Sequence, residues 1–107
     1  MARLRISKAA RADMRAIFRQ SAEMFGLSQA DAYVADLHSA FDLIATFPQS
    51  GRESRKTEPP VRILPRKAHI ILYASDDQGV LILRVRHARE DWLNDPLGHT
   101  ADTGGEP

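Results

Sequence analysis

A lone glycine, Gly26, separates two long runs of apolar residues spaced at helical period, and this junction constrains the fold more than any other feature of the chain. Before it, Ser7 stands where an N-cap belongs, and Ala10, Met14, Ile17, Phe18, Met24 and Phe25 recur on one helical face. After it, Ser28-Gln29-Ala30-Asp31 has the form of a capping box, and Ala30, Tyr33, Val34, Leu37, Phe41, Ile44 and Ala45 make a broad apolar stripe. Phe47-Pro48 ends that stripe, because proline cannot continue the helical hydrogen-bond ladder. Helices joined by two or three residues lie roughly antiparallel, so the sequence predicts an αα-hairpin with one shared apolar side. That side must be covered by something else.

The cover is predicted from strands. Arg3-Leu4-Arg5-Ile6 alternates charged and apolar residues, the pattern of a half-buried strand. Residues 48–60 (PQSGRESRKTEPP) are polar and rich in turn formers, and they read as a loop. Three β segments follow: Val61 to Arg66, Ile70 to Ser75 and Val80 to His87. Pro65 lacks an N–H donor, which suits an edge strand or an irregular end. Asp76-Asp77-Gln78-Gly79 suits a hairpin turn. The expected fold is therefore α+β: a small antiparallel sheet in β-αα-βββ order with the helical hairpin packed on one face. Alternation along the last strand predicts that Leu81, Leu83 and Val85 meet the helices, while Ile82, Arg84 and Arg86 make the opposite face partly basic.

At 107 residues, one domain is expected, over 1–96, followed by a flexible tail over 97–107 with few bulky apolar side chains. There is no cysteine, which excludes a disulfide scaffold, a thiol nucleophile and a zinc finger. No apolar run is long enough to span a bilayer. The basic start, Met1 to Ser7, leads directly into the amphipathic pattern without a signal-peptide core, so a cytoplasmic chain is expected.

The formal charge is only +1, but it is unevenly distributed. Between Arg52 and Lys67, six basic residues (Arg52, Arg55, Lys56, Arg62, Arg66 and Lys67) face only Glu53 and Glu58, and Arg84, Arg86 and Arg89 follow. The second helix has Asp31, Asp36 and Asp42 and no basic residue. Such a charge cluster is ordinarily a solvated surface. Its functional reading is a docking surface for an anion, either nucleic acid or an acidic protein segment. With only Tyr73 in the later strands and Trp92 soon after them, a base-stacking platform is poorly supplied, and direct nucleic-acid binding is not expected.

Residue patterns for familiar catalytic chemistry are sparse. The four histidines, His38, His69, His87 and His99, show no helical ligand pairing and no HExxH motif, so no metal or other cofactor is expected. A Ser/His/Asp set would lack a nucleophile elbow, and the Gly104-Gly105 pair has no preceding strand to build a phosphate loop. Functional side chains concentrate instead at Arg84, Arg86, His87, Arg89, Glu90, Asp91 and Trp92. His87 could transfer protons and the arginines could stabilise phosphate charge. Equally, the arginines could pair with Glu90 or Asp91 while Trp92 packs as an anchor.

The order strand, helical hairpin, Pro48-Gln49-Ser50-Gly51-Arg52 loop and three strands, with the ending Ile82-Leu83-Arg84-Val85-Arg86-His87-Ala88-Arg89-Glu90-Asp91-Trp92, resembles the RelE/ParE superfamily of bacterial toxins from type II toxin–antitoxin systems. The resemblance implies a toxin neutralised by a small ParD-like antitoxin whose C-terminal segment wraps it. RelE-like members cut messenger RNA in the ribosome, using basic residues on the sheet and often a tyrosine near the C-terminus. Here Ile70 occupies the position three before Tyr73 where an arginine is typical, Ala88 occupies a basic position, and no tyrosine follows Tyr73. The ParE branch, which the hairpin and the His87-Ala88-Arg89 ending favour, implies non-catalytic inhibition of DNA gyrase.

On that resemblance, Arg84, Arg86, His87, Arg89 and Trp92 are the expected target-binding or toxicity residues, with no catalytic residue. Arg62, Arg66 and Tyr73 are expected to bind the antitoxin. The alternative is a RelE-like ribosome-dependent mRNA endonuclease, with His87 as acid or base and Arg62, Arg84 and Arg89 on phosphates. A second alternative is a non-toxic binding module on the same fold.

Overall fold

The computed structural model describes residues 3–55 and 60–89. The expected domain limit at residue 96, the tail over 97–107, and Lys56, Glu58, Glu90, Asp91 and Trp92 lie outside the described residues. The element order is β1 (Leu4–Ile6), α1 (Lys8–Phe25), α2 (Leu27–Thr46), β2 (Arg52–Ser54), β3 (Val61–Arg66), β4 (His69–Asp76) and β5 (Gly79–His87). One sheet holds all five strands in the order β1-β5-β4-β3-β2.

Ser7 caps α1 as expected, its Oγ accepting the Ala10 N–H at 3.0 Å while donating to the Leu83 carbonyl at 2.8 Å. The junction is tighter than the capping-box pattern suggested. Gly26 alone joins the helices: its N–H closes α1 on the Ala22 carbonyl, its carbonyl accepts from Ala30, and no side chain caps α2. Its φ of 94° explains the glycine, since side-chain-bearing residues rarely adopt that region. Ser28 and Asp31 therefore lie inside α2 rather than ahead of it.

The antiparallel expectation holds for four of the strands, and β1 departs from it. It runs parallel to β5, with Leu4 opposite Val80 and Ile6 opposite Ile82, because α1 and α2 intervene before the chain returns to the sheet. The loop after the helices also contributes β2, which pairs antiparallel with β3 from Arg52–Ile63 to Ser54–Val61. Three charged or polar residues in a row carry no hydrophobic period, so backbone pairing rather than side-chain pattern makes this strand. Pro65 falls just past the part of β3 that β2 covers, where a missing donor breaks no ladder bond to β2.

The main core lies between helices and sheet and includes Ala10, Met14, Ile17, Leu37, Ala40, Phe41, Ile44, Ile71, Tyr73, Val80, Ile82 and Val85. Each large aliphatic or aromatic member contributes about 1.5–3 kcal/mol of burial. Met24 and Phe25 depart from the expected stripe, being 63% and 62% exposed at the hairpin tip.

The faces of β5 also depart from simple alternation. Tyr73 pairs with Ile82 and Leu72 with Arg84, so Leu83 is an extra residue, a β-bulge. Val80 and Ile82 face the helices before it and Val85 after it, whereas Leu83 packs with Val61, Ile63, Ile70 and Leu72 on the far side. That far side, expected to be partly basic, carries this second apolar cluster, and Arg86 shares it opposite Ile70.

The β4–β5 turn is tight. Asp76 Oδ1 accepts the Gln78 N–H at 2.8 Å, and Gly79 takes φ 122° with no room for a Cβ against the Arg3 backbone. A Gly79→Ala chain should lose about 2 kcal/mol in urea unfolding, since both the backbone region and the β1–β5 approach oppose a side chain. Unchanged stability would contradict this account of the turn.

Candidate functional site

Asp13 on α1 reaches the edge of β5 beyond the end of β1. Its carboxylate accepts Arg84 Nε at 2.7 Å and Arg84 Nη2 at 2.9 Å, and Oδ2 also accepts the Val85 N–H at 2.9 Å. Both side chains are largely withdrawn from water, at 13% and 15% exposed. A bidentate pair with a third donor on the same carboxylate is among the stronger polar arrangements available to a fold. Arg84 is thus tied to α1 within the fold.

Arg86 is only 6% exposed. His87 is half-buried, and its Nδ1 accepts the Arg89 N–H at 3.0 Å, which leaves the proton of the neutral ring on Nε2. Arg89 is exposed. The register puts His87 opposite His69, with ring centroids 5.2 Å apart, and His69 Nδ1 shares a 2.6 Å hydrogen bond with the Tyr33 hydroxyl on α2. Burial pushes the Tyr33 phenol above its usual range, the Asp36 charge adds to this, and a backbone hydrogen bond from Ala68 opposes it. These rings wall a groove of about 510 Å³ that includes Met24, Phe25 and Lys67. The His69–His87 pairing arises from strand register, so a search for ligand pairs at helical spacing missed it. Among the described residues no third potential metal ligand joins them.

The residues expected to meet an antitoxin separate into two environments. Arg62 and Arg66 sit opposite Tyr73 and His69, on the same side of the sheet as the helices. Arg62 Nη1 donates to the Gly51 carbonyl at 2.7 Å. Arg66 makes a bidentate pair with Asp36 of α2, at 2.9 and 3.0 Å, with Lys67 3.9 Å from the same carboxylate. Hydrogen bonding from Arg66 holds the Asp36 carboxyl below its ordinary value, partly opposed by desolvation, and raises the Arg66 guanidinium in turn.

Tyr73 is a correction, because it is fully buried and presents no surface to a partner. Its hydroxyl donates to the Pro48 carbonyl at 2.7 Å and accepts the Gly51 N–H at 2.8 Å, fixing the loop between α2 and β2. Any Cβ at Gly51 would stand 2.7 Å from that oxygen, which explains glycine there.

Of the four groups named for the nuclease alternative, Arg84, His87 and Arg89 lie at one end of β5 and Arg62 lies apart from them. Arg62 aligns through Tyr73 with Ile82, whereas His87 lies five residues further along β5, about 16 Å away. Arg84 is meanwhile engaged by Asp13.

A family model described as ParE toxin of type II toxin-antitoxin system, parDE, matches residues 4–92. The chain belongs to the ParE toxin family. Toxin ParE1 of Mycobacterium tuberculosis is 31% identical over 87 residues, covering 80% of this chain and 89% of that protein. Toxin ParE3 of Caulobacter vibrioides is 30% identical over 77 residues, covering 72% and 77%. The fold is also that of a chain in the solved structure of a chromosomal ParDE TA system from P. aeruginosa, with a TM-score of 0.68, 24% identity, and coverage of 81% and 96%. This ParE chain thus has the α+β architecture expected from its sequence, while the sheet arginines Arg62, Arg66 and Arg84 are hydrogen-bonded within the fold and its core tyrosine braces a loop.

Two stability experiments follow. Asp13→Ala removes the bidentate carboxylate partner of Arg84 and the acceptor of the Val85 N–H, and should cost about 3 kcal/mol in denaturant unfolding, against about 1–2 kcal/mol for Tyr73→Phe. A loss under about 0.5 kcal/mol for Asp13→Ala would show that the pair does not hold α1 to the sheet. Because the folded value of Asp36 is depressed, its contribution is complete above the ordinary value of 3.8 and is lost as pH falls through the lower folded value. Asp36→Asn should flatten that acid limb in pH-dependent unfolding, and an unaltered profile would remove the pair from the account.

Proposed function

We propose that this ParE-family chain is a growth-arresting toxin that acts in the cytoplasm by inhibiting DNA gyrase without catalysis, and that a ParD-like antitoxin neutralises it. The family match over residues 4–92 carries the reading. The antitoxin is supported by the structural relative from P. aeruginosa, a chain of a chromosomal ParDE TA system. The non-catalytic part is supported by the dispersal of Arg62 and His87 to different ends of the sheet and by the engagement of Arg84 with Asp13. A phosphoryl-transfer site needs its acid, base and charge-stabilising groups around one reacting atom.

In this reading His87, Arg89 and Trp92 contact the target, with Arg84 and Arg86 supporting β5, which presents His87. An antitoxin segment crossing the β3 margin meets Arg62 and Arg66. The purified chain should inhibit gyrase supercoiling while leaving ribosome-bound messenger RNA uncut. Arg89→Glu should weaken inhibition at least about tenfold with its unfolding midpoint unchanged, since Arg89 is exposed. Cleavage mapped to the ribosomal A site, with supercoiling unaffected, would replace this reading with the RelE-like one. Growth unaffected by induction would favour the non-toxic module.

A further inference from the structure

The far face of the sheet is withdrawn from water although both helices lie on the other side. Val61, Ile63, Ile70 and Leu72 are between 0% and 4% exposed, and their cluster, with Leu83 beside it, is made of strand residues alone. The helices pack instead against Ile71, Tyr73, Val80, Ile82 and Val85. Side chains on a bare sheet face keep their outer ends in water, so burial this complete requires a second layer. Among the described residues no helix contributes to that layer, which leaves residues 1–2, 56–59 and 90–107 to supply it.

Chemistry selects among these three. Residues 56–59 (KTEP) carry no large aliphatic or aromatic side chain. Met1 and Ala2 lead into β1, which β5 separates from β4 and β3. Residues 90–97 (EDWLNDPL) bring Trp92, Leu93 and Leu97 together with the carboxylates of Glu90, Asp91 and Asp95. Arg86, 6% exposed, stands in the same patch opposite Ile70, and a guanidinium so far from water calls for acidic groups around it. The charge of the whole chain divides in the same sense. All fifteen Lys and Arg precede residue 90, whereas five of the fourteen Asp and Glu follow Arg89.

The exit of the chain agrees with this choice. Strand β5 ends at His87, one residue past Arg86, so the chain leaves the sheet beside Ile70. An extended run over 90–97 reaches roughly 26–29 Å, against roughly 14 Å across the strand spacings from β5 to β2. It is long enough to cross the patch.

We propose that residues 90–97 form a strap across the far face, seating Trp92 on Ile70 and Leu72 with carboxylates beside Arg86, and that the strap withholds Trp92 from the target until it lifts. Residues 93–97 lie beyond the family match. The withholding rests on the function proposed above, in which Trp92 contacts the target. The strap itself rests on the burial of the far face.

Trp92 is the only tryptophan, so its fluorescence reports on the strap, and the chain has no cysteine to compete with introduced thiols. In the native full chain, acrylamide should quench Trp92 at least about threefold less than in the urea-unfolded chain. Glu90→Gln/Asp91→Asn/Asp95→Asn should raise the native quenching at least about twofold. A nitroxide on Pro65→Cys, an exposed position opposite Ile70, should quench Trp92 more than one on Gln20→Cys in the groove on the helix side. A reductant-cleavable bismaleimide joining Pro65→Cys to Asn94→Cys should lower inhibition of gyrase supercoiling at least about tenfold, and cleavage should restore it.

Quenching of native Trp92 equal to that of the unfolded chain would overturn the strap. So would quenching unaltered by the triple carboxamide variant, or a stronger effect from Gln20→Cys than from Pro65→Cys. Full inhibition by the cross-linked chain would overturn the withholding. If the chain without cross-link leaves gyrase untouched, the function proposed above fails and the withholding with it, while the fluorescence still decides the strap.

Discussion

The carboxylate of Asp13 is the point on which the layers of this small protein are joined. Strand β5 lies between β1 and β4, but β1 spans only Leu4–Ile6, so the upper part of one β5 edge has no strand beside it. The start of α1 takes over as that edge is left bare. The Ser7 N–H bonds the Ile82 carbonyl, Ser7 Oγ bonds the Leu83 carbonyl, and Asp13 receives the Val85 N–H together with the Arg84 guanidinium. An exposed strand edge of unpaired backbone groups is thereby converted into the attachment of a helix. The bulge at Leu83 falls within this segment and returns Val85 to the helix-facing core.

A second polar anchor organises the other side of the sheet. The Tyr73 hydroxyl reaches from the core to the Pro48 carbonyl and the Gly51 N–H, and Gly51 in turn offers its carbonyl to Arg62. One buried oxygen thus sets where the loop leaves α2 and where β2 begins. Both anchors use groups that look functional when the chain is read linearly: a basic residue near the C-terminus and an isolated tyrosine on a strand. In a domain of this size, fold and function draw on the same few polar side chains.

The charge distribution changes meaning once these assignments are made. The sheet arginines Arg62, Arg66 and Arg84 are hydrogen-bonded within the fold, to Gly51, Asp36 and Asp13. Fully exposed positive charge lies along α1, on Arg52, Arg55 and Lys67, and on Arg89. The acidic second helix is also partly internalised, since Asp36 faces Arg66 and Lys67. A binding surface on this ParE chain therefore follows helix geometry as much as sheet geometry.

The helical hairpin, the order of the strands, the Asp76–Gly79 turn and the ParE resemblance were legible in the sequence, because each rests on local spacing: a period of 3.6, a period of 2, or a glycine where a turn needs it. Cooperative, non-local features were not. Strand β2 has no hydrophobic period and exists through pairing with β3. The bulge at Leu83 depends on register with β4 and reverses the faces that alternation assigns. Neither the partnership of Asp13 with Arg84, 71 positions apart, nor that of Tyr33 with His69, 36 apart, leaves a mark on residue spacing. Sequence by itself determined which segments become helix or strand and which family the chain resembles, since propensity and period act over a few residues. Only the tertiary structure decided which charges are consumed by the fold and which remain for a partner, because a charge is satisfied by whatever lies within about 3 Å of it in space, however far away along the chain.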